Sequence, residues 1–253
     1  MLSYLWVLWL APLSAQCHAI ELRWTGWGGN IYNNRWADSD VDTANVKSLT
    51  QHCHIHFPSG VSAPPALHSN VAYFPTWNGT FVALDYSTCQ LKWQTNVTAF
   101  LEQQGPLDPY QATVAFRGSR ASPQIDGDTL YIGTQLHALL LALDMHSGAI
   151  IGHTQVNRHP LAVITMSPTF FNGRLFVGAS SDEESAAVDP TYPCCSFVGN
   201  FAAFTFNRAT GCFSTVWNRT MLPEPYGVGE WTGAAVWGSQ PSIDISRSKH
   251  TDG

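Results

Sequence analysis

Charge is scarce in this chain. Asp, Glu, Lys and Arg make up only 12% of its 253 residues, about half the usual share in globular domains. Its 12 basic residues form no run and the net charge is −6. A phosphate backbone needs clustered Lys and Arg, so the composition argues against nucleic acid as a partner. No Cys-x-x-Cys-His haem attachment site occurs. No stretch keeps a helical period over three turns, which excludes a helical bundle. Beyond the N-terminus, no apolar run reaches the roughly 20 residues that span a bilayer. The apolar run Met1–Leu13 is itself too short to span. It suits a signal-peptide core closing at the small residues Ala15 and Ala19, although no Lys or Arg precedes it. We read residues 1–19 as a signal peptide, with a short membrane anchor as the alternative. The expected location is secreted or extracellular, with no transmembrane segment left after signal removal.

What the chain has is apolar and aromatic: 45% hydrophobic residues, ten Trp and thirteen Phe, enough for a large core of flat side chains. Three acceptor sequons fit export, at Asn78-Gly-Thr80, Asn96-Val-Thr98 and Asn218-Arg-Thr220. Of six cysteines, Cys17 leaves with the signal peptide. Cys53, Cys89, Cys194, Cys195 and Cys212 remain, an odd set that implies an unpaired thiol or a partner outside this chain.

Internal repetition is the strongest feature. The first unit contains Ser62-Ala-Pro-Pro-Ala-Leu-His, Trp77-Asn-Gly-Thr-Phe-Val-Ala-Leu-Asp85 and Leu91-Lys-Trp93. A second contains Ala121-Ser-Pro-Gln-Ile-Asp-Gly, Leu141-Ala-Leu-Asp144 and Ser147-Gly148. A third contains Met166-Ser-Pro-Thr-Phe-Phe-Asn-Gly, Phe201-Ala-Ala-Phe204, Thr210-Gly211 and Trp217. A fourth begins at Ser239-Gln-Pro-Ser-Ile-Asp244. Asp126-Gly127 and Asn172-Gly173 are hairpin dipeptides between apolar runs. Leu130-Tyr-Ile-Gly and Leu175-Phe-Val-Gly read as buried strands, and Trp93 and Trp217 as flat rings closing their units. Short strands repeated in this order indicate an all-β propeller, about three blades plus the start of a fourth, over residues 20–253. A β-sandwich does not explain the recurring order. Insertions at 99–119, 181–197 and 221–236 mark the loops where a site belongs.

These repeats resemble the pyrroloquinoline quinone (PQQ) family, the quinoprotein alcohol dehydrogenases, and most nearly its polyvinyl alcohol dehydrogenase-like branch. The likeness runs from Trp24 to Asp244. It is carried by Trp24-Thr-Gly-Trp-Gly-Gly-Asn, Gly178-Ala-Ser-Ser-Asp-Glu-Glu184, Tyr192-Pro-Cys-Cys-Ser-Phe197 and Trp231-Thr-Gly-Ala-Ala-Val-Trp-Gly-Ser239. The resemblance implies PQQ lying flat near the propeller axis, with calcium at its polar edge as a Lewis acid. It implies a small or polymeric alcohol as substrate and an external electron acceptor reached without a haem of this chain.

Each site candidate carries two readings. Glu183, following the strand that ends near Gly178, fills the family's metal-binding glutamate position; otherwise it belongs to an acidic solvated loop. Thr165 and Ser180 match the family's hydroxyl contacts to the quinone carboxylates, or are ordinary strand-end polar residues. Trp237 is the aromatic floor under the quinone, or a core Trp between blades. Cys194 and Cys195 close on each other against the cofactor, as quinoproteins of this family can, or bridge elsewhere, for example to Cys53 or Cys212. Arg120 pairs a cofactor carboxylate or carbonyl, or is a surface side chain. His52, His54 and His56 alternate along an expected strand, one face for three imidazoles that either chelate a metal or simply face solvent.

Two departures stand out. Val198 replaces an arginine frequent in relatives, and Phe204-Thr-Phe206 replaces Ala-Leu-Asp. The family's catalytic aspartate and second metal-binding amide belong beyond residue 244, and the polar tail 245–253 does not resemble the next strand. With about eight blades in the family pattern, the expectation is a truncated product that lacks the general base and turns over little or no alcohol. The alternatives are a non-catalytic secreted propeller that binds a protein or glycan, and a fragment that does not fold alone.

Overall fold

The alternation of apolar runs with tight turns becomes four antiparallel strands per repeat in the computed structural model, which describes residues 24–247 apart from Ala115. The signal peptide read over 1–19, Cys17 and the end of the polar tail lie outside the described residues. The first sheet is β1 (Ala66–His68), β2 (Val71–Pro75), β3 (Thr80–Asp85) and β4 (Gln90–Asn96). Helices α1 (Val97–Leu101) and α2 (Pro109–Val114) follow. The second sheet is β5 (Gln124–Asp126), β6 (Thr129–Gly133), β7 (Leu139–Asp144) and β8 (Ile150–Gln155). The third is β10 (Thr169–Phe171), β11 (Arg174–Ser181), β12 (Asn200–Asn207) and β13 (Cys212–Thr220), with β9 (Ala162–Val163) paired to the end of β11 and α3 (Glu183–Ala186) between β11 and β12. All three sheets pair their strands in sequence order. The architecture is a β-propeller, each sheet a blade.

Local chemistry explains the turns. Ser69–Asn70 and Asn172–Gly173 close the first hairpins of two blades, with φ of 45° and 64°, and 48° and 73°. Positive φ at both residues gives the turn that matches strand twist. In the second blade Asp126 still pairs with Thr129. Its loop is therefore Gly127–Asp128, one residue later than the sequence reading.

The turn between third and fourth strands repeats more closely. Asp85, Asp144 and Asn207 each accept backbone N–H groups from the residues two and three ahead. Each turn then ends on a left-handed residue: Cys89 (φ 61°), Gly148 (φ 74°) or Gly211 (φ 70°). Cys89 occupies a glycine position and is joined there to Cys53 by a disulfide. In the third blade Asn207 performs the aspartate's task after the Phe204–Phe206 departure.

Large cores fill the gaps between blades. Phe81, Leu101, Leu130 and Leu141 lie between the first and second, and Tyr131, Leu140, Ile164 and Leu175 between the second and third. A β-bulge recurs after Ala83, Ala142 and Ala203, whose cross-strand partners are Trp93, Gly152 and Trp217. Trp93 packs on Tyr73 and Phe81 and donates its Nε1–H to the Met145 carbonyl at 3.0 Å. Trp217 packs on Phe176 and Phe201. The second blade carries glycine because a Cβ at 152 would run into the Gly211 carbonyl and the Phe206 ring.

Serines at the blade starts link neighbours. Ser62 Oγ donates to the Ser119 carbonyl (2.7 Å), Ser122 N–H to Ser167 Oγ (2.9 Å) and Ser167 N–H to the Ser239 carbonyl (3.0 Å). The segment 239–244 is not a strand, yet it is seated. Thr169 Oγ1 donates to the Pro241 carbonyl at 2.7 Å, and Ile243 N–H to Ile31 at 2.8 Å.

The segment holding His52, His54 and His56 is likewise not a strand, a correction to the sequence reading. The alternation survives: the histidines are exposed, while Cys53, Ile55 and Phe57 are half-buried. The cause is anchoring without a ladder, through the Cys53–Cys89 bond and an edge-to-face contact of Phe57 with Phe74 (5.3 Å). The His52 ring lies 3.1 Å from the Ser87 carbonyl. His52, Cys53 and Cys89 cluster within 4.8 Å, but both sulfurs are already bonded to each other.

Candidate functional site

Buried β11 delivers Ser180 to a blade rim, and α3 turns the chain so that Glu183 points back under the loop 189–197. A cavity of ≈ 590 Å³ opens here, lined by Ser180, Glu183, Glu184, Cys195, Phe197, the segment 232–235 and Trp237. The far wall lies close against the blade: a Cβ at Gly178 would meet Val236 at 2.6 Å, and Gly199 lies under the Ala234 carbonyl.

Glu183 is 4% exposed and sits in a cage of donors. Its Oε1 accepts from Tyr192 Oη–H (2.8 Å), Ser196 N–H (2.8 Å) and Ser196 Oγ–H (3.2 Å); among the described residues its Oε2 accepts only from Phe197 N–H (2.9 Å). Burial pushes the Glu183 carboxyl up. The Ser196 N–H, the Tyr192 hydroxyl, the Phe197 N–H and His159 outweigh it and hold the group below its usual range. His159 lies 3.4 Å from Oε1. Burial draws its pKa below the ordinary imidazole value, against the pull of Glu183 and Asp108, so the contact is a neutral hydrogen-bond relay rather than an ion pair. Its Nδ1 accepts from Leu161 N–H (3.2 Å), which puts the proton on Nε2, 2.9 Å from Ser196 Oγ. Asp182 is pushed up to about 6 by burial and by the Glu184 charge, with Arg120 opposing.

Cys194 and Cys195 are bonded to each other, not to Cys53 or Cys212. Cys212 is a free, exposed thiol, so the odd cysteine expected from the sequence is this one. Trp237 is 48% exposed, with the Arg120 guanidinium 5.2 Å over its ring. Ser180 Oγ is buried and has no hydrogen-bond partner among the described residues. Thr165 is buried one layer below, its Oγ1 accepting from Gly238 N–H at 3.4 Å.

Ser180, Glu183, Cys195 and Trp237 thus meet at one cavity, with Cys194, Arg120 and Thr165 at its margins. The sequence reading missed the donors that organise Glu183. Tyr192 and Ser196 lay inside a quoted motif but were not singled out. His159 carried no signal, because its partners come from a segment some forty residues on and meet it only by folding.

The cavity suits a flat, polycarboxylate quinone. It offers an open indole face, a disulfide, an unpartnered buried hydroxyl and a guanidinium. Glu183 and Glu184 line the cavity and Asp182 stands next to them in the chain, so an anionic ligand there calls for a cation as well. Glu183 Oε2, with a single donor, has an acceptor position left for one.

No family model matches the chain. It is 24% identical over 238 residues to a polyvinylalcohol dehydrogenase of Pseudomonas sp and 24% identical over 243 residues to one of Sphingopyxis sp. (strain 113P3). Each alignment covers 89% of this chain and 34% of the relative, so the chain spans about a third of the length of the curated relatives it matches. Among solved structures, the quinohemoprotein alcohol dehydrogenase from Comamonas testosteroni superposes with a TM-score of 0.58 at 20% identity, over 80% of this chain and 28% of that one. A quinohemoprotein alcohol dehydrogenase from Pseudomonas putida HK5 gives 0.60 at 18%, over 79% and 27%. The fold is the propeller of the quinoprotein alcohol dehydrogenases. The resemblance to the polyvinyl alcohol dehydrogenase-like branch read from the sequence is borne out by the two curated relatives.

Proposed function

We propose that this chain forms the quinone- and cation-holding sector of a secreted PQQ-dependent dehydrogenase that oxidises a small or polymeric alcohol and passes the electrons to an external acceptor. The observation that carries the reading is the meeting of caged Glu183, the Cys194–Cys195 disulfide, unpartnered Ser180 and open Trp237 at one cavity. PQQ, when bound with calcium, supplies the hydride-accepting carbonyl and its Lewis-acid polarisation. Trp237 offers the stacking face, and Cys194–Cys195 a rigid wall. Ser180 and Thr165 present hydroxyls, and Arg120 a guanidinium, to the carboxylates of the quinone. Glu183 offers Oε2 to the cation while Tyr192, Ser196 and His159 hold Oε1. Asn78, Asn96 and Asn218 are proposed glycan acceptors. Each is exposed, with its Oδ1 held by an internal donor.

Calorimetric titration of the purified chain with PQQ in the presence of calcium tests this. Saturable binding that requires calcium and weakens in Glu183→Gln and Trp237→Ala is expected. Absence of saturable binding to the folded chain overturns the reading. The second reading, a non-catalytic propeller that binds a protein or glycan, is favoured by the strongly exposed Val228 and Trp231 on the insertion beside the cavity.

A further inference from the structure

A polar cleft of ≈ 500 Å³ lies along the seam between the second and third blades and shares no wall residue with the quinone cavity. One wall is the end of β8 with Asn157 and Arg158 beyond it. The other is β13, through Thr215, Asn218 and Thr220. The volume falls in the range of small-ligand sites, about 300–1,000 Å³. Amides, hydroxyls and one guanidinium line the cleft, with no carboxylate. Amides and hydroxyls both donate and accept, as the hydroxyl and acetamido groups of sugars do.

Three amides in series fix how Asn218 is turned. Asn157 donates its Nδ2–H groups to the Val198 carbonyl (3.0 Å) and to Asn200 Oδ1 (2.8 Å). Asn200 donates its own to the Val156 carbonyl (2.9 Å) and to Asn218 Oδ1 (2.8 Å). A carbonyl only accepts, so Val198 and Val156 decide which end of Asn157 and of Asn200 is nitrogen. Asn200 therefore meets Asn218 as a donor, and Asn218 answers with its oxygen. Nδ2, the atom that carries the sugar in a sequon, is the end turned from Asn200. The series runs from buried Asn200, 4% exposed, to exposed Asn218.

The sequon lies along the cleft wall. Asn218 and Thr220 are two residues apart on a strand, so they share a face, and both line the cleft. Asn78 sits in the turn between β2 and β3, and Asn96 caps α1. Neither lines this cleft.

We propose that the first sugars of a glycan on Asn218 lie in this cleft, held by the amides and hydroxyls of both blades, and clip the seam between them. This holds only if Asn218 is a glycan acceptor, as proposed above, and is independent of the quinone cavity. Transfer from a lipid-linked oligosaccharide joins the sugar's C1 to Nδ2, with the lipid diphosphate as leaving group and one amide proton lost. Oδ1 is untouched, so the bond from Asn200 survives attachment.

The test expresses the full chain in a eukaryotic secretory host. Peptide mapping should find a glycan on Asn218. Peptide-N-glycosidase acting on the folded protein should release it about 10-fold or more slowly than any at Asn78 and Asn96, a difference lost on denaturation. Thr220→Ala, which removes the sequon, should lower Tm by about 2–4 °C more in glycosylated protein than in protein made in bacteria. Thr80→Ala and Thr98→Ala should show no such excess. The release measurement uses the parent chain, so it reports even if Thr220→Ala does not fold. Glycans elsewhere with none at Asn218, equal release from all sites, or no excess loss for Thr220→Ala overturns the seating in the cleft alone. Three empty sequons overturn the reading of the chain as a glycoprotein as well.

Discussion

Tyr192 shows how one hydroxyl shapes the candidate site. It donates to a buried carboxylate oxygen, and hydrogen bonds to charged groups contribute about 1.5–3 kcal/mol. Tyr192→Phe should lower unfolding free energy by about that amount in urea titrations, with the denaturant slope unchanged. A second residue-scale prediction concerns Asp144. Ser147 hydroxyl and backbone donors and the Arg208 guanidinium hold its carboxyl down at about 2, against the opposing effect of burial. A depressed folded pKa stabilises above the unfolded value of 3.8 and is lost as pH falls toward 2. The parent protein should therefore lose more stability than Asp144→Asn on acidification through that window, measured by urea midpoints at each pH. Asp144, Ser147 and Gly148 were legible in the sequence as a repeated turn. Arg208 was not, because it reaches Asp144 from the next blade.

At the scale of elements, the blades are equivalent in path but not in filling. The strand order and the bulge after the alanine recur in all three. At the matching cross-strand position two blades carry Trp and the other carries Gly152. Gly152→Ala should cost about 1–3 kcal/mol through overpacking against the third blade, read as a lower Tm. Hairpins and strands were readable locally, since period-2 alternation and turn dipeptides depend on neighbours in sequence. The loop at His52–His56 misled that reading, because an alternating pattern describes one buried face whether or not a ladder partner exists.

At the scale of the whole molecule, buried Gln240 joins three distant stretches. Its Oε1 accepts from Gly28 N–H at 2.7 Å, its Nε2 donates to Gln124 Oε1 at 3.1 Å, and its carbonyl accepts from Asn33 Nδ2 at 2.8 Å. Gln240→Ala leaves buried partners unsatisfied, at about 1–3 kcal/mol. Limited proteolysis should then cut the segments 24–33 and 238–244 earlier than in the parent, while the blade cores resist.

The sequence alone determined the repeated blade, its turns and the grouping of Glu183, Cys194, Cys195 and Trp237 into motifs, because each rests on residues adjacent in the chain. Tertiary structure alone decided that these motifs share one cavity, that Cys194 bonds Cys195 while Cys53 bonds Cys89, and that His159 stands behind Glu183. Contacts between blades are set by how sheets pack face to face, and side-chain burial there depends on partners dozens of residues away.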